Sequence, residues 1–413
     1  MNPILLKVLL LAAGHFFIDF YIEILPPVMP ALVEKIGMSM GMTGLLFTCV
    51  SITSAWSQPF FGFLGDRFKN KYILPLSLLW ISVLMGAVGL INSYAVLLIV
   101  TCLAGIGSAV YHPLGSVAAA SCSDKYKGLI MSFYVTIGTV GMTMSPLLAV
   151  WVKDFAGLEG LLLLAIPGVV VAALIAFLMG SDSTGQTAGT SNNYDKKNYD
   201  KEVMQADKER KESDRVGRIQ GIKWLLWLVI VMGFRIWAVR SFTVFIPIYY
   251  TQMGESEFFA AKVLSVYLLS QGIGGVLGGI SADKIGRNKT IIYSCAASIG
   301  ALIGFFYTSG FVSVIFLWAA AACMNSAFPV AVVLAQEVNP DNQNFASGMM
   351  MGFTFGIGGV GALVTGTITD FLGGNLGLAL MTNIIALLLS LGLSLFLPGD
   401  GQKRLCCGKS MVK

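Results

Sequence analysis

The 413-residue chain is 56% hydrophobic and only 12% charged, with a formal net charge of +5. A soluble domain carries about a quarter charged residues, so this balance excludes an ordinary water-soluble fold and points into lipid. The small positive excess is what loop charges of a membrane protein produce, and it suggests no nucleic-acid partner.

A bilayer core about 30 Å thick needs roughly 20 apolar residues per helix. Such stretches are predicted at 4–30, 42–64, 73–91, 94–118, 128–151 and 159–179, then at 223–250, 258–280, 290–308, 311–336, 345–370 and 375–397. Polar or turn-forming breaks such as Asn92–Ser93 and Gly373–Gly374–Asn375 separate them. The first stretch is too long for a signal peptide, carries Asp19 and Glu23, and has no small-residue cleavage site, so it is expected to be retained.

Lys and Arg fall mainly after helices two, four, six and eight: Arg67, Lys69, Lys71, Lys125, Lys127, a long basic stretch, Lys284, Arg287 and Lys289. The tail adds Lys403, Arg404, Lys409 and Lys413, whereas the opposite breaks hold only Lys35, Lys153 and Lys262. Both termini are therefore expected in the cytoplasm, with the chain integral to the inner (plasma) membrane. Among the cysteines, Cys49, Cys102, Cys295 and Cys323 read as small core residues. Cys406 and Cys407, beside Lys403 and Arg404, read as a plain tail or a palmitoylation context.

Residues 181–222 form the long polar stretch, too poor in large apolar residues to build a core alone. The predicted organisation is a six-helix bundle at 1–180, a cytoplasmic linker at 181–222, a second bundle at 223–398 and a tail at 399–413. Within the linker, Tyr199 to Ile219 suits a charged helix on the membrane surface. The halves match in one ungapped register: a shift of 217 places Pro30 on Pro247, Gly62 on Gly279, Asp66 on Asp283, Arg67 on Lys284 and Tyr111 on Phe328. The fold class is an all-α polytopic membrane protein of twelve helices in two pseudo-symmetric six-helix bundles.

Two matched turns carry the strongest motif, GFLGDRFKNK at 62–71 and GISADKIGRNK at 279–289. Gly62 and Gly279 suit a tight turn, and Asp66 and Asp283 suit exposed amides at a helix N-terminus. Arg67, Lys284 and Arg287 suit a facing carboxylate or lipid head groups. Contacts made in one conformation and broken in the other would make these turns a gate latch. In helix eleven, Gly348, Gly352 and Gly356 form a ladder, and Gly274/Gly278 with Gly275/Gly279 form another in helix eight. Both suit close helix packing, either static or sliding between halves.

The turn motif resembles the loop signature of the major facilitator superfamily. Three further segments narrow the resemblance to its fosmidomycin-resistance branch: AGHFFIDFYIEILPPVMPAL in helix one, YHPLGSVAAA at 111–120, and VVLAQEVNP with ASGMMMGFTFGIGGVGALVTGTITDFLG between Val332 and Gly373. The resemblance implies a monomeric, proton-driven exporter of drugs or small organic anions. Departures are Leu114, where that branch often has an acidic residue, Thr101, where a drug-antiporter signature expects Arg, and Ser145–Pro146, where it expects Gly-Pro.

Ionisable residues deep in helices carry the functional signal, since each costs roughly 2.5–3.5 kcal/mol or more when unpaired in lipid. His15, Asp19 and Glu23 are spaced by four, within roughly 80° of one helical face. Helix seven holds Arg235 and Arg240, about 140° apart around the axis, and the 217-residue shift maps Glu23 onto Arg240. Asp19, Glu23 and His15 are the proton-coupling candidates. Arg240, Arg235, His112, Gln58, Gln271 and Asn325 are the substrate-binding candidates. The bland counterpart is a set of structural pairs and packing hydrogen bonds.

The expected partners are protons, membrane lipid and a small-molecule, possibly anionic, substrate; no cofactor is expected. Proton-coupled uptake of an organic anion or sugar phosphate is the rival within transport, and a membrane sensor with a transporter fold is the rival outside it. No metal-ligand cluster, nucleophile elbow or phosphate loop is legible, so no enzyme is expected.

Overall fold

The computed structural model describes residues 3–67, 70, 72–123, 125–181, 201–339 and 343–397. Among them eleven helices are long and apolar enough to cross a membrane, and a twelfth crossing is broken into shorter pieces. Span one comprises α1 (Pro3–Ile22) and α2 (Leu25–Ile36). The break between them falls at Glu23–Ile24 because Pro26 and Pro27 offer no N–H to the carbonyls one turn earlier. Span two comprises α3 (Met40–Ser51), a π turn (Ile52–Trp56) and α4 (Gln58–Arg67). Ser39 caps α3, its hydroxyl accepting from Met42 N at 3.2 Å.

The remaining spans of the first half are α5 (Ile73–Gly86), α6 (Tyr94–Ala120), α7 (Lys127–Ala156) and α8 (Ala165–Ser181). The second half supplies α9 (Lys201–Gln252), α10 (Glu257–Ile285), α11 (Arg287–Tyr307), α12 (Gly310–Val338) and α13 (Gln343–Phe371). Its last span is α14 (Leu376–Met381) followed by α15 (Asn383–Ser394). The charged segment expected on the membrane surface is instead the N-terminal extension of span seven, since α9 runs unbroken from Lys201. Residues 182–200 and the tail with Cys406 and Cys407 lie outside the described residues.

Helices pack mainly within their own half, and α3 on α13, α7 on α10, and α2 on α9 join the halves. One continuous buried core takes residues from both halves, from Val8 through Phe242 to Leu387. A second core, from Leu225 through Ala331 to Met350 and Leu397, belongs to the second half alone. It lies toward the termini, so the halves are fused at mid-depth and at the far side and separate on the terminus side.

The crossing of α3 with α13 shows the same gradient. Toward the far side, a methyl group on Gly44 would lie 2.5 Å from the Ala362 carbonyl oxygen, and one on Gly366 would collide with the Met40 carbonyl. Nearer the termini α13 passes the π turn and α4, where Gly356 makes room for the Trp56 side chain and the clearances then open to 3.3 Å at Gly352 and 3.9 Å at Gly348. Gly274 and Gly278 instead meet the α12 backbone at Ala322 and Ser326, inside one half. The helix-eleven ladder is thus an interface between halves, and the helix-eight pair is packing within one.

Candidate functional site

Two polar contacts hold the halves together at the far side. Asp370, ending α13, accepts from Met40 N at 2.9 Å and Gly41 N at 2.8 Å, placing its carboxylate on the N-terminus of α3. A negative charge there is favoured by the helix dipole and by the unpaired first-turn amides. Lys153 of α7 pairs with Glu257 of α10 at 2.6 Å. Neither contact was read from the sequence. The available signal was an acidic residue one position before the Phe371–Gly374 turn, in a helix otherwise free of acids.

At mid-depth, Arg240 Nη1 donates to Glu23 Oε1 at 3.0 Å. The residues related by the 217-residue register therefore meet face to face across the pseudo-symmetry axis. Glu23 sits at the break in span one, where α1 ends, and is 3% exposed. The Arg240 guanidinium also lies over the Phe355 ring, 5.7 Å from its centroid. The pair is singly bonded: Glu23 Oε2 and Arg240 Nε are both buried without a hydrogen-bond partner. Both line a cavity between the halves whose other polar walls are Ser51, Ser54 and Thr243. The π turn aims Ser54 there and sends Trp56 onto Phe353 of the opposite half, ring centroids 5.1 Å apart.

Asp19 lies elsewhere, inside the first bundle. His15 Nε2 stands 3.5 Å from its Oδ2, and His112 Nε2 of α6 stands 3.5 Å from its Oδ1. The two imidazoles meet edge-on at 5.2 Å. No metal-ligand spacing is legible in the sequence, yet folding gathers these three side chains so that one ligand atom of each lies within 4.8 Å of the others.

Arg235 does not reach the cavity. It is fully buried, and its donors go to Met324 O at 2.5 Å, Ile291 O at 3.1 Å, Ser294 Oγ at 2.8 Å and the Cys323 carbonyl. It therefore ties span seven to spans nine and ten. Gln58 donates to the Ser54 carbonyl in the π turn of its own span at 3.1 Å. Asn325 donates to the Gln271 carbonyl at 3.0 Å, and Gln271 Nε2 is buried without a partner.

Of the two loop motifs, Gly62 lies inside α4 and Gly279 inside α10, so neither makes the tight turn expected of it. Gly62 faces Pro113, and Arg67 and Asp283 are exposed at the helix ends. Lys284 is exposed beside Asp283, and Arg287 forms an ion pair with Glu337 at the end of α12. Gly279 stands in open space. The Asp66 side chain, Lys69 and Lys71 lie outside what the structure describes.

Comparison with known proteins agrees with this architecture. The family model for the Major Facilitator Superfamily matches residues 11–362. The MFS-type transporter YfnC of Bacillus subtilis (strain 168) is 26% identical, over 94% of this chain and 91% of that protein. The fosmidomycin resistance protein of Escherichia coli (strain K12) is also 26% identical, over 95% and 93%. Among solved structures, a bacterial homologue of the human lysosomal transporter Spinster, inward-facing and occupied, superimposes with a TM-score of 0.76 at 15% identity. That match covers 94% of this chain and 95% of the homologue. The transporter FucP in the outward conformation gives 0.61 at 15% identity, over 97% and 100%.

Proposed function

The chain belongs to the major facilitator superfamily, and on that premise we propose that it exchanges protons for a small organic solute, exporting the solute, at the Glu23–Arg240 pair. It is an integral-membrane transporter and not an enzyme. Of the two buried carboxylates among the described residues, Glu23 is the one whose partner belongs to the opposite half, so its bond is the one that rocking of the bundles makes and breaks.

The observation that carries the reading is the incomplete bonding of the pair. Glu23 Oε2 offers an acceptor and Arg240 Nε a donor into one cavity. A solute with an anionic or carbonyl oxygen beside an O–H or N–H completes both at once, and hydrogen bonds to charged groups contribute roughly 1.5–3 kcal/mol each. A proton on Glu23 removes the acceptor and loosens the pair, so proton and solute exclude each other. Mutual exclusion at one site that faces the two sides alternately is exchange.

The loop-charge bias supports cytoplasmic termini, and in that orientation the separated side of the bundles is the cytoplasmic entrance. Asp370 and Lys153 then hold the outer side shut, and the two turn motifs latch the inner side when it closes. The protein similar over nearly the whole chain is named for fosmidomycin resistance, and resistance to a drug supports export as the direction. In cells expressing the protein, lowered accumulation of a small anionic drug such as fosmidomycin supports export, and raised accumulation refutes it.

A second reading rests on Arg240 itself. An anion that takes Arg240 away from Glu23 leaves a buried carboxylate without a counter-charge, which then binds a proton alongside the anion. Solute and proton would move together, as in uptake of an organic anion or sugar phosphate.

A further inference from the structure

We propose that His15, Asp19 and His112 form a binding site for a borderline divalent transition metal such as Zn²⁺, with one coordination position open. The argument starts from the tautomer of His15. Its Nδ1 lies 2.9 Å from the Tyr134 carbonyl oxygen, which only accepts, so Nδ1 carries a proton and in the neutral ring Nε2 carries the lone pair. That lone pair faces Asp19 Oδ2 at 3.5 Å. Two acceptors held face to face need a positive species between them. At 3.5 Å they stand well beyond the roughly 2.7–2.9 Å of a charge-assisted hydrogen bond.

The separations suit a metal ion better. Ligands about 2.0–2.1 Å from a tetrahedral Zn²⁺ lie roughly 3.3 Å apart. His15 and His112 each stand 3.5 Å from one of the two oxygens of the Asp19 carboxylate. One ligand atom from each of the three residues lies within 4.8 Å of the others, a spread that a small side-chain adjustment closes onto one ion. Imidazole nitrogen with a carboxylate selects zinc, cobalt, nickel or copper over magnesium or calcium.

The surroundings hold the ligands in place. His15 and Asp19 are one helical turn apart on α1, and the Tyr134 carbonyl on the non-ligating nitrogen is the support that metal-bound histidines receive. The His15 ring stacks on Tyr134 at 4.2 Å, nearly parallel. A methyl group on Gly138 would lie 2.5 Å from Asp19 Oδ2 and 2.6 Å from the His15 ring, so the glycine clears the space that the pair occupies. The His15 and Asp19 side chains are 9% and 12% exposed and that of His112 is 25% exposed. The cluster is therefore approached past His112. Three protein ligands and an accessible fourth side describe a site whose metal keeps an exchangeable position.

The site lies wholly within the first bundle, and its occupation does not depend on the transport reading. The test is calorimetric titration of Zn²⁺ alone into the purified full-length protein carrying Cys406→Ser and Cys407→Ser, with Co²⁺ absorption as the coordination probe. One ion per chain is expected, with ligand-field bands showing nitrogen coordination. His15→Ala and His112→Ala should each weaken affinity by at least about tenfold, as loss of even a supporting group costs 10–100-fold, while Glu23→Gln leaves it unchanged. Should His15→Ala fail to fold, His112→Gln, at the more exposed edge, carries the comparison. Absence of stoichiometric binding to the parent chain, or equal affinity after loss of His112, overturns the proposal. Because the titration contains no transport substrate, its failure is separable from failure of the exchange mechanism.

Discussion

Glu23 and Arg235 are both buried charges in lipid-spanning helices, and they differ in what completes them. Arg235 is fully bonded by three carbonyls and a serine drawn from two other spans of its own half. Each buried acceptor left unmet costs about 1–3 kcal/mol, so Arg235→Met should sharply lower the thermal unfolding temperature and the folded yield. Arg235→Lys should recover only part of this loss, lacking the planar fork. Arg240 is the opposite case, with Nε open to the cavity. Arg240→Lys keeps the charge and drops that donor, and should weaken solute binding by about tenfold while leaving the unfolding temperature nearly unchanged. A solute affinity unaltered in Arg240→Lys would remove Nε from the site. The meeting of Glu23 with Arg240 was legible because the halves repeat, and residues near the axis of a repeat face their own mates. The His15–Asp19–His112 gathering was not, since it depends on the rotation of spans one and four about their axes.

At the scale of elements, the glycine pattern alone does not tell a moving interface from a fixed one. The ladder at Gly348, Gly352 and Gly356 and the pair at Gly274 and Gly278 look alike in sequence, yet only the first faces the other half. Gly274→Leu should destabilise the second bundle outright, because the α12 backbone at Ala322 cannot retreat. Gly44→Leu should instead spread the far side and leave each bundle folded. A similar shift is expected of Asp370→Asn, which removes the charge from the α3 N-terminus and about 0.3–1 kcal/mol with it. A cysteine placed at Thr367 should then become up to about fivefold more reactive to an impermeant thiol reagent. Unchanged reactivity would mean that Asp370 does not hold the far side closed. The break at Glu23 follows from Pro26 and Pro27, which the sequence displays. The π turn at Ile52–Trp56 contains neither proline nor glycine, but Pro59 just beyond it withholds an N–H from the Ala55 carbonyl, and Trp56 of the turn packs on Phe353 of span eleven.

For the molecule as a whole, hydropathy and breaks located the twelve spans, because a bilayer imposes length and apolarity on each of them. What composition does not encode is which face of a span turns inward, and so which of several buried charges meet. In the proposed mechanism, the halves joined at the far side and parted toward the termini are one end of an alternating cycle, and the Glu23–Arg240 bond between them is the element that a proton and a solute compete to occupy. The most direct test of that competition is solute-driven proton flux in proteoliposomes, read with an internal pH dye against a panel of small carboxylates and phosphonates. The expected result is proton movement opposite to the solute, abolished in Glu23→Gln while the variant remains folded. Protons moving with the solute, or exchange that survives in Glu23→Gln, would contradict the mechanism.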